Sequence, residues 1–215
     1  MNIKDYKTIV FDCDGVVLDS NKIKTQAFYK AALCYGEEKA QSLVQYHVAR
    51  GGVSRYNKFE WLLEQCKGLK GPTLEQLLAS YAKEVEAGLL SCDIAKGLKQ
   101  LRDQTKKAKW LIVSGGAQHE LRDIFAKRNI DSLYDGGIFG SPDSKDEILS
   151  REIVKGNIES PALFIGDSKY DFEAASNAGL DFVFLTGWSE VIDKEAWCKE
   201  NSIEVKLNLC ELLNV

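Results

Sequence analysis

The chain of 215 residues predicts an α/β protein, a doubly wound parallel sheet with a helical domain inserted near its start. Three observations predict it. From residue 91 onward, short apolar runs rich in β-formers alternate with helix-period segments, the pattern of a sheet buried on both faces. About 70 residues of helical pattern follow the first apolar run, more than a single crossover needs. Polar residues also stand at the carboxyl ends of most of these runs, the edge at which open α/β sheets bind ligands.

The first run, Ile9-Val10-Phe11, is too short for a helix and reads as a buried strand. From Ser20 to about Leu90 the pattern is helical. Phe59, Leu62, Leu63 and Cys66 recur at i, i+3, i+4 and i+7, as do Leu74, Leu77, Leu78, Tyr81 and Val85 in similar fashion. Thr73 with Gln76 makes a capping-box start after Pro72. Gly36, Gly51-Gly52 and Gly68 to Gly71 divide the stretch into roughly four helices. The expected division is therefore a sheet core of residues 1–17 and 91–215 around a helical domain of residues 18–90. Beyond Ser91, helices are expected over about 94–106, 117–128, 145–156 and 169–178. Strands are expected at 110–114, 162–167 and 182–186, with short helices over 193–201 and 208–213. The stretch YDGGIFGSPDSK reads as irregular.

With 45% hydrophobic and 28% charged residues, the composition is that of an ordinary globular protein with a sizeable core. A net charge of −4 gives no electrostatic case for nucleic acid or an anionic membrane surface. A small anionic substrate would need local positive charge. The opening MNIKDYKTIVFD lacks a signal-like apolar stretch, and no run of about 18 apolar residues could span a bilayer. The six cysteines are scattered without a CxxC pair, which argues against a zinc site or a disulfide scaffold. Cys66 and Cys210 fall in apolar patterns and are expected to be buried. The expected compartment is the reducing cytoplasm.

Asp12 and Asp14 follow the first strand directly, and residues two apart in extended chain point to one side. Two carboxylates there repel each other unless something cationic lies between them. Ser114 ends the second strand, and Asp167 the third. Asp171 stands one helical turn beyond Asp167, where an aspartate is also a common helix cap. The convergence of these ends on one sheet edge is the specific signal.

The motifs DCDGVVLDS (12–20 with its strand), Ser114-Gly115, Ser144-Lys145 and GDSKYDFEAASNAG resemble the four motifs of the haloacid dehalogenase (HAD) superfamily, in order and across nearly the whole chain. The inserted helices resemble the cap of its phosphoglycolate-phosphatase and β-phosphoglucomutase branch, and GGVSR (51–55) is similar to the mutases' substrate-recognition loop. The resemblance implies an HAD-like fold and a Mg²⁺-dependent phosphatase of a small phosphorylated metabolite, of phosphoglycolate or sugar-phosphate type. It implies Asp12 as nucleophile forming an aspartyl-phosphate and Asp14 as acid and base. Asp12, Asp167 and the carbonyl of Asp14 would hold Mg²⁺, with Asp171 in support. Ser114, Gly115 and Lys145 would bind phosphoryl oxygens. Lys24 and Arg55 are the expected cap contacts to substrate. No nucleic-acid or membrane partner is implied, and the expected state is a monomer or homodimer.

Departures from the family pattern are also present. Lys145 is followed by Asp-Glu rather than the KPxP of many relatives, and Lys24 stands where many have a histidine. His47 and His119 lack acidic or cysteine partners at ligand spacing and read as packing or surface residues. The alternative function is a β-phosphoglucomutase-like phosphomutase. Dehalogenation and phosphonate cleavage are disfavoured, because relatives with those activities lack the second aspartate, here Asp14.

Overall fold

The structure, a computed structural model, describes residues 2–213; Met1, Asn214 and Val215, which fall within the expected core segments, lie outside the described residues. Strand β1 (Thr8–Phe11) is buried along its whole length, as its apolar run requires. Helices α1 (Asn21–Ala32), α2 (Glu37–Ala49), α3 (Arg55–Gln65) and α4 (Leu74–Ser91) follow before any further strand, as expected. The chain then alternates through α5 (Leu98–Gln104), β2 (Lys109–Ala117), α6 (Gln118–Lys127), β3 (Gly137–Ser141), α7 (Lys145–Val154) and β4 (Ala162–Gly166). It ends with α8 (Lys169–Asn177), β5 (Asp181–Leu185), α9 (Lys194–Glu200) and β6 (Glu204–Lys206).

The six strands form one parallel sheet in the order β3-β2-β1-β4-β5-β6. The chain winds outward from β1 through β2 and β3, then returns to place β4 on the other side of β1. This reversal opens a crevice at the carboxyl ends of β1 and β4. Phe11 is in register with Ile112 of β2 and Ile165 of β4, so these strand ends lie level.

Side chains alternate across the sheet. Ile9 and Phe11 join Trp110, Leu101 and Phe125 on one face, whereas Val10 packs with Leu111, Phe164, Ile148 and Ala174 on the other. The first of these clusters continues into the helices between β1 and β2. There the Phe28 ring lies 4.4 Å from that of Tyr81 and 5.2 Å from that of Phe59, tying α1, α3 and α4 together. The α4 start is the expected capping box of Thr73 and Gln76.

Four expectations need correction. GIFGS within the stretch read as irregular is β3; its glycines interrupt the apolar run, but pairing with β2 supplies the order. Glu204–Lys206 is a short edge strand not expected above, although Ile203, Val205 and Leu207 alternate there with Glu204 and Lys206. The helix expected from residue 94 begins only at Leu98, because Gly97 takes a left-handed φ of 84° and Ala95 N–H donates instead to the Val17 carbonyl (2.9 Å). Cys66 is buried as expected, but Cys210 is only half-buried. No helix among the described residues is long and apolar enough to cross a membrane.

Candidate active site

The carboxyl ends of β1 and β4 bring Asp12, Asp167 and Asp171 together, with carboxylate oxygens within 4.8 Å of one another. Asp12 is fixed by its N–H, which donates to the Ile165 carbonyl (2.9 Å) and prolongs the β1–β4 pairing by one residue. Asp171 sits in the first turn of α8, where Ser168 is the N-cap. One Asp171 oxygen accepts from the Asp167 N–H (3.1 Å), the Ser168 N–H (3.0 Å) and the Ser168 hydroxyl (2.8 Å). Its other oxygen accepts from Lys145. Asp171 thus completes the capping box of α8 and anchors Lys145.

Lys145 opens α7, and a capping box of Ser144 and Glu147 sets the entry of that helix. Its ammonium also forms an ion pair with Asp12 Oδ1 (2.8 Å), a buried oxygen with no other partner among the described residues. Three carboxylates therefore face one cation. Burial pushes the Asp12 carboxyl up to about 7, with Lys145 pulling against it and Asp171 pushing with it. Burial, and then Asp171 and Asp12, raise Asp167 well above the ordinary carboxylate range. Burial opposes the charge on Lys145, but Asp12 and Asp171 outweigh it and hold the ammonium protonated.

These residues fit a hard divalent cation with oxygen ligands. Asp12 Oδ1 meets only the Lys145 ammonium, Asp167 is burdened by like charge, and the Asp14 carbonyl accepts no hydrogen bond, all among the described residues. Gly15 (φ 76°) runs so close that a Cβ there would collide with the Asp167 carboxylate, which brings the backbone beside Asp14 against the acidic cluster.

Asp14 stands apart from the triad. One oxygen accepts from Ser20 Oγ (2.5 Å) and the other from Lys24 Nζ. Burial pushes its carboxyl up, but Lys24 outweighs that and keeps it below the usual carboxylate range. The expected cap residue Lys24 therefore serves Asp14 directly.

A cavity of about 60 Å³ lies in front of these groups, lined among others by Asp12, Asp14, Lys24, Arg55, Gly115 and Asp167. The loop of Gly51, Gly52 and Val53 between α2 and α3 forms part of its wall, and a Cβ on Gly115 would collide with the Gly52 carbonyl oxygen. Ser114, Lys145 and Asp171 are buried outside the cavity lining, with Ser114 Oγ accepting from the Gly116 N–H (3.1 Å). Arg55 lines the cavity while its guanidinium grips both carboxylate oxygens of Glu120 on α6 and lies 4.9 Å from the Tyr81 ring centroid.

Sequence reasoning missed several contributors. Asn21 donates to Asp167 Oδ2 (2.7 Å) and to the Trp188 carbonyl (2.9 Å), and Ser189 Oγ donates to the Asp167 carbonyl (2.6 Å). Lys58 also lines the cavity, as does His47, which packs as one of its two expected readings had it, buried with its ring 4.6 Å from that of Phe28. Asn21 and Lys58 carry no motif. The only available signal for Lys58 was its place three residues after Arg55, hence on the same helix face.

Residues 6–179 match the haloacid dehalogenase-like hydrolase family model. A Thermotoga maritima protein, "phosphorylated carbohydrates phosphatase", is 22% identical over 191 residues, covering 83% of this chain and 84% of the relative. Among solved structures, a predicted phosphatase of Clostridium acetobutylicum superposes with a TM-score of 0.74 at 20% identity, covering 97% of this chain and 96% of the other. CbbY of Rhodobacter sphaeroides, in complex with phosphate, gives 0.66 at 16% identity, covering 85% and 87%. At these identities the solved structures speak to the fold, and the family match spans most of the chain. The chain belongs to the haloacid dehalogenase-like hydrolases.

Proposed function

We propose that this hydrolase is a Mg²⁺-dependent phosphatase of a small phosphorylated metabolite, acting through an aspartyl-phosphate on Asp12, with the helices of residues 18–90 as its cap. One observation carries the reading. Asp12 is buried on the lining of a cavity of about 60 Å³, with one carboxylate oxygen 2.8 Å from the Lys145 ammonium and its carboxylate gathered with those of Asp167 and Asp171 within 4.8 Å. An attacking carboxylate needs a fixed orientation and a neighbouring cation that offsets its own charge and that of the phosphoryl group.

In this account Asp12, Asp167 and the Asp14 carbonyl hold Mg²⁺, which when bound offsets the repulsion between carboxylate and phosphoryl group. Lys145, anchored by Asp171, draws charge off the phosphoryl oxygens together with Ser114 and the Gly115 N–H. The Lys24–Asp14 pair supplies a proton to the departing alkoxide. Asp14 then deprotonates the water that attacks the aspartyl-phosphate. The loop at Gly52, seated against Gly115, excludes bulk solvent during the first displacement.

The relative named for phosphorylated carbohydrates supports a metabolite phosphatase. A phosphomutase of β-phosphoglucomutase type is the second reading, favoured by the placement of Gly51, Gly52 and Val53 on the cavity wall. It requires a firm grip on a second phosphate, and Arg55, the residue suited to that grip, is engaged by Glu120. The test is a panel of phosphomonoesters with Mg²⁺ that includes β-glucose 1-phosphate, following both inorganic phosphate and glucose 6-phosphate. Release of phosphate from small members of the panel is expected. Rapid glucose 6-phosphate formation with little phosphate would establish the mutase instead.

A further inference from the structure

Lys58 is a cation on the cavity wall that has no carboxylate partner among the described residues and that the proposed chemistry does not use. Lys58 is 2% exposed and His47 8%, and both line the cavity wall contributed by α2 and α3. The other basic groups near the site each have a carboxylate: Lys24 has Asp14, Lys145 has Asp12 and Asp171, and Arg55 has Glu120. Lys58 has none within ion-pair distance among the described residues. Its ammonium donates to His47 Nδ1 (2.8 Å) and lies 5.5 Å from the Phe28 ring centroid, while His47 Nε2 has no partner among the described residues.

A buried lysine without a counter-ion is costly and is retained only where something compensates it. Burial and then the nearby Lys24 pull Lys58 down to about 7, and burial with Lys58 and Lys24 keeps the His47 imidazole neutral. The imidazole can therefore accept the Lys58 hydrogen bond but brings no charge of its own. An anion entering the cavity would restore full charge to Lys58.

We propose that Lys58 is the receptor for a carboxylate on the substrate, remote from the phosphoryl group, so that the substrate is the phosphate ester of a short hydroxy acid. This assignment rests on the phosphatase reading. One unpaired ammonium matches the single charge of a carboxylate. The cavity of about 60 Å³ on which Lys58 stands has room for a few water-sized groups, which suits a short substrate. Arg55 remains the wall that joins α3 to α6, and specificity falls to Lys58, on the same helix face.

The experiment compares phosphoglycolate with ethyl phosphate, which lacks the carboxylate, in the wild type, Lys58→Met and Lys58→Arg. The quantity read is the ratio of kcat/KM between the two substrates. The wild type is expected to favour phosphoglycolate by about 10- to 100-fold, the worth of a charge-assisted hydrogen bond. Lys58→Met should bring the ratio near one, and Lys58→Arg should retain part of it. A wild-type ratio near one overturns the proposal without recourse to any variant, and so does a preference that survives Lys58→Met. If neither ester is hydrolysed, the phosphatase reading fails, and calorimetric binding of both esters to the metal-free protein then decides the subsite. Tighter binding of phosphoglycolate that is lost in Lys58→Met supports it, and equal binding of the two overturns it.

Discussion

Asp12→Asn is expected to lower kcat by about 10⁴- to 10⁶-fold, the range lost when a covalent nucleophile is removed. The amide keeps the size of the carboxylate but cannot attack phosphorus. Uncatalysed phosphomonoester hydrolysis is among the slowest reactions known, so little background activity should remain. The fold should survive, because the change removes a buried charge that burial already disfavours. Lys145 keeps its contact with Asp171, and the Asp12 N–H still donates to Ile165. Rates are measured on the best substrate of the panel, with circular dichroism to verify folding. Near-wild-type turnover would exclude Asp12 as nucleophile.

Metal removal should have an effect of similar size. Chelation with EDTA is expected to abolish turnover and added Mg²⁺ to restore it. Ca²⁺ should be a poor substitute, since its larger and looser coordination misplaces nucleophile and phosphate. Asp167→Asn should raise the Mg²⁺ requirement sharply or eliminate activity. The same variant should make the metal-free protein more stable at neutral pH. Its carboxyl is raised in the folded state, so ionising it there costs more than ionising it in the unfolded chain. A folded-state value above the unfolded one places the stabilisation of the wild type at low pH and its loss as pH rises. The metal-free wild type should accordingly melt at a higher temperature near pH 5 than near pH 8, and Asp167→Asn should flatten that dependence. Full activity in excess chelator would contradict the metal assignment. A metal-free variant less stable than the wild type would contradict the electrostatic account.

Much of this arrangement was legible because it depends on local signals. The apolar runs at Ile9, Leu111, Leu163 and Val183 each gave a strand, and burial on both faces leaves no other use for them. Asp12, Asp14, Asp167 and Asp171 could be picked out because each stands at or just beyond the end of such a run. Of the strands that were missed, β3 is interrupted by glycines and takes its order from pairing with β2, whereas β6 carries a short alternation at Ile203, Val205 and Leu207 that spans only three paired residues. Side-chain partnerships across long sequence separations were not legible either. Arg55 and Glu120 are 65 positions apart, and Asn21 meets Asp167 across 146. Nothing in a single sequence marks Lys58 as buried. Only the packing of α1 and α2 around it, with the Phe28 ring and the His47 imidazole as neighbours, distinguishes it from a solvated helix lysine.

The central claim is that Asp12 carries the phosphoryl group between two displacements, and trapping tests it most directly. The enzyme is mixed with Mg²⁺ and a turned-over phosphomonoester, quenched in acid during the first turnover, and treated with borohydride, which reduces an acyl phosphate but not a free carboxylate. Peptide mass spectrometry should then find the residue 12 side chain reduced to its alcohol, in proportion to the phosphate not yet released, and unmodified at Asp14, Asp167 and Asp171. An unreduced Asp12 in samples that are demonstrably turning over, or reduction at another aspartate, would contradict the account.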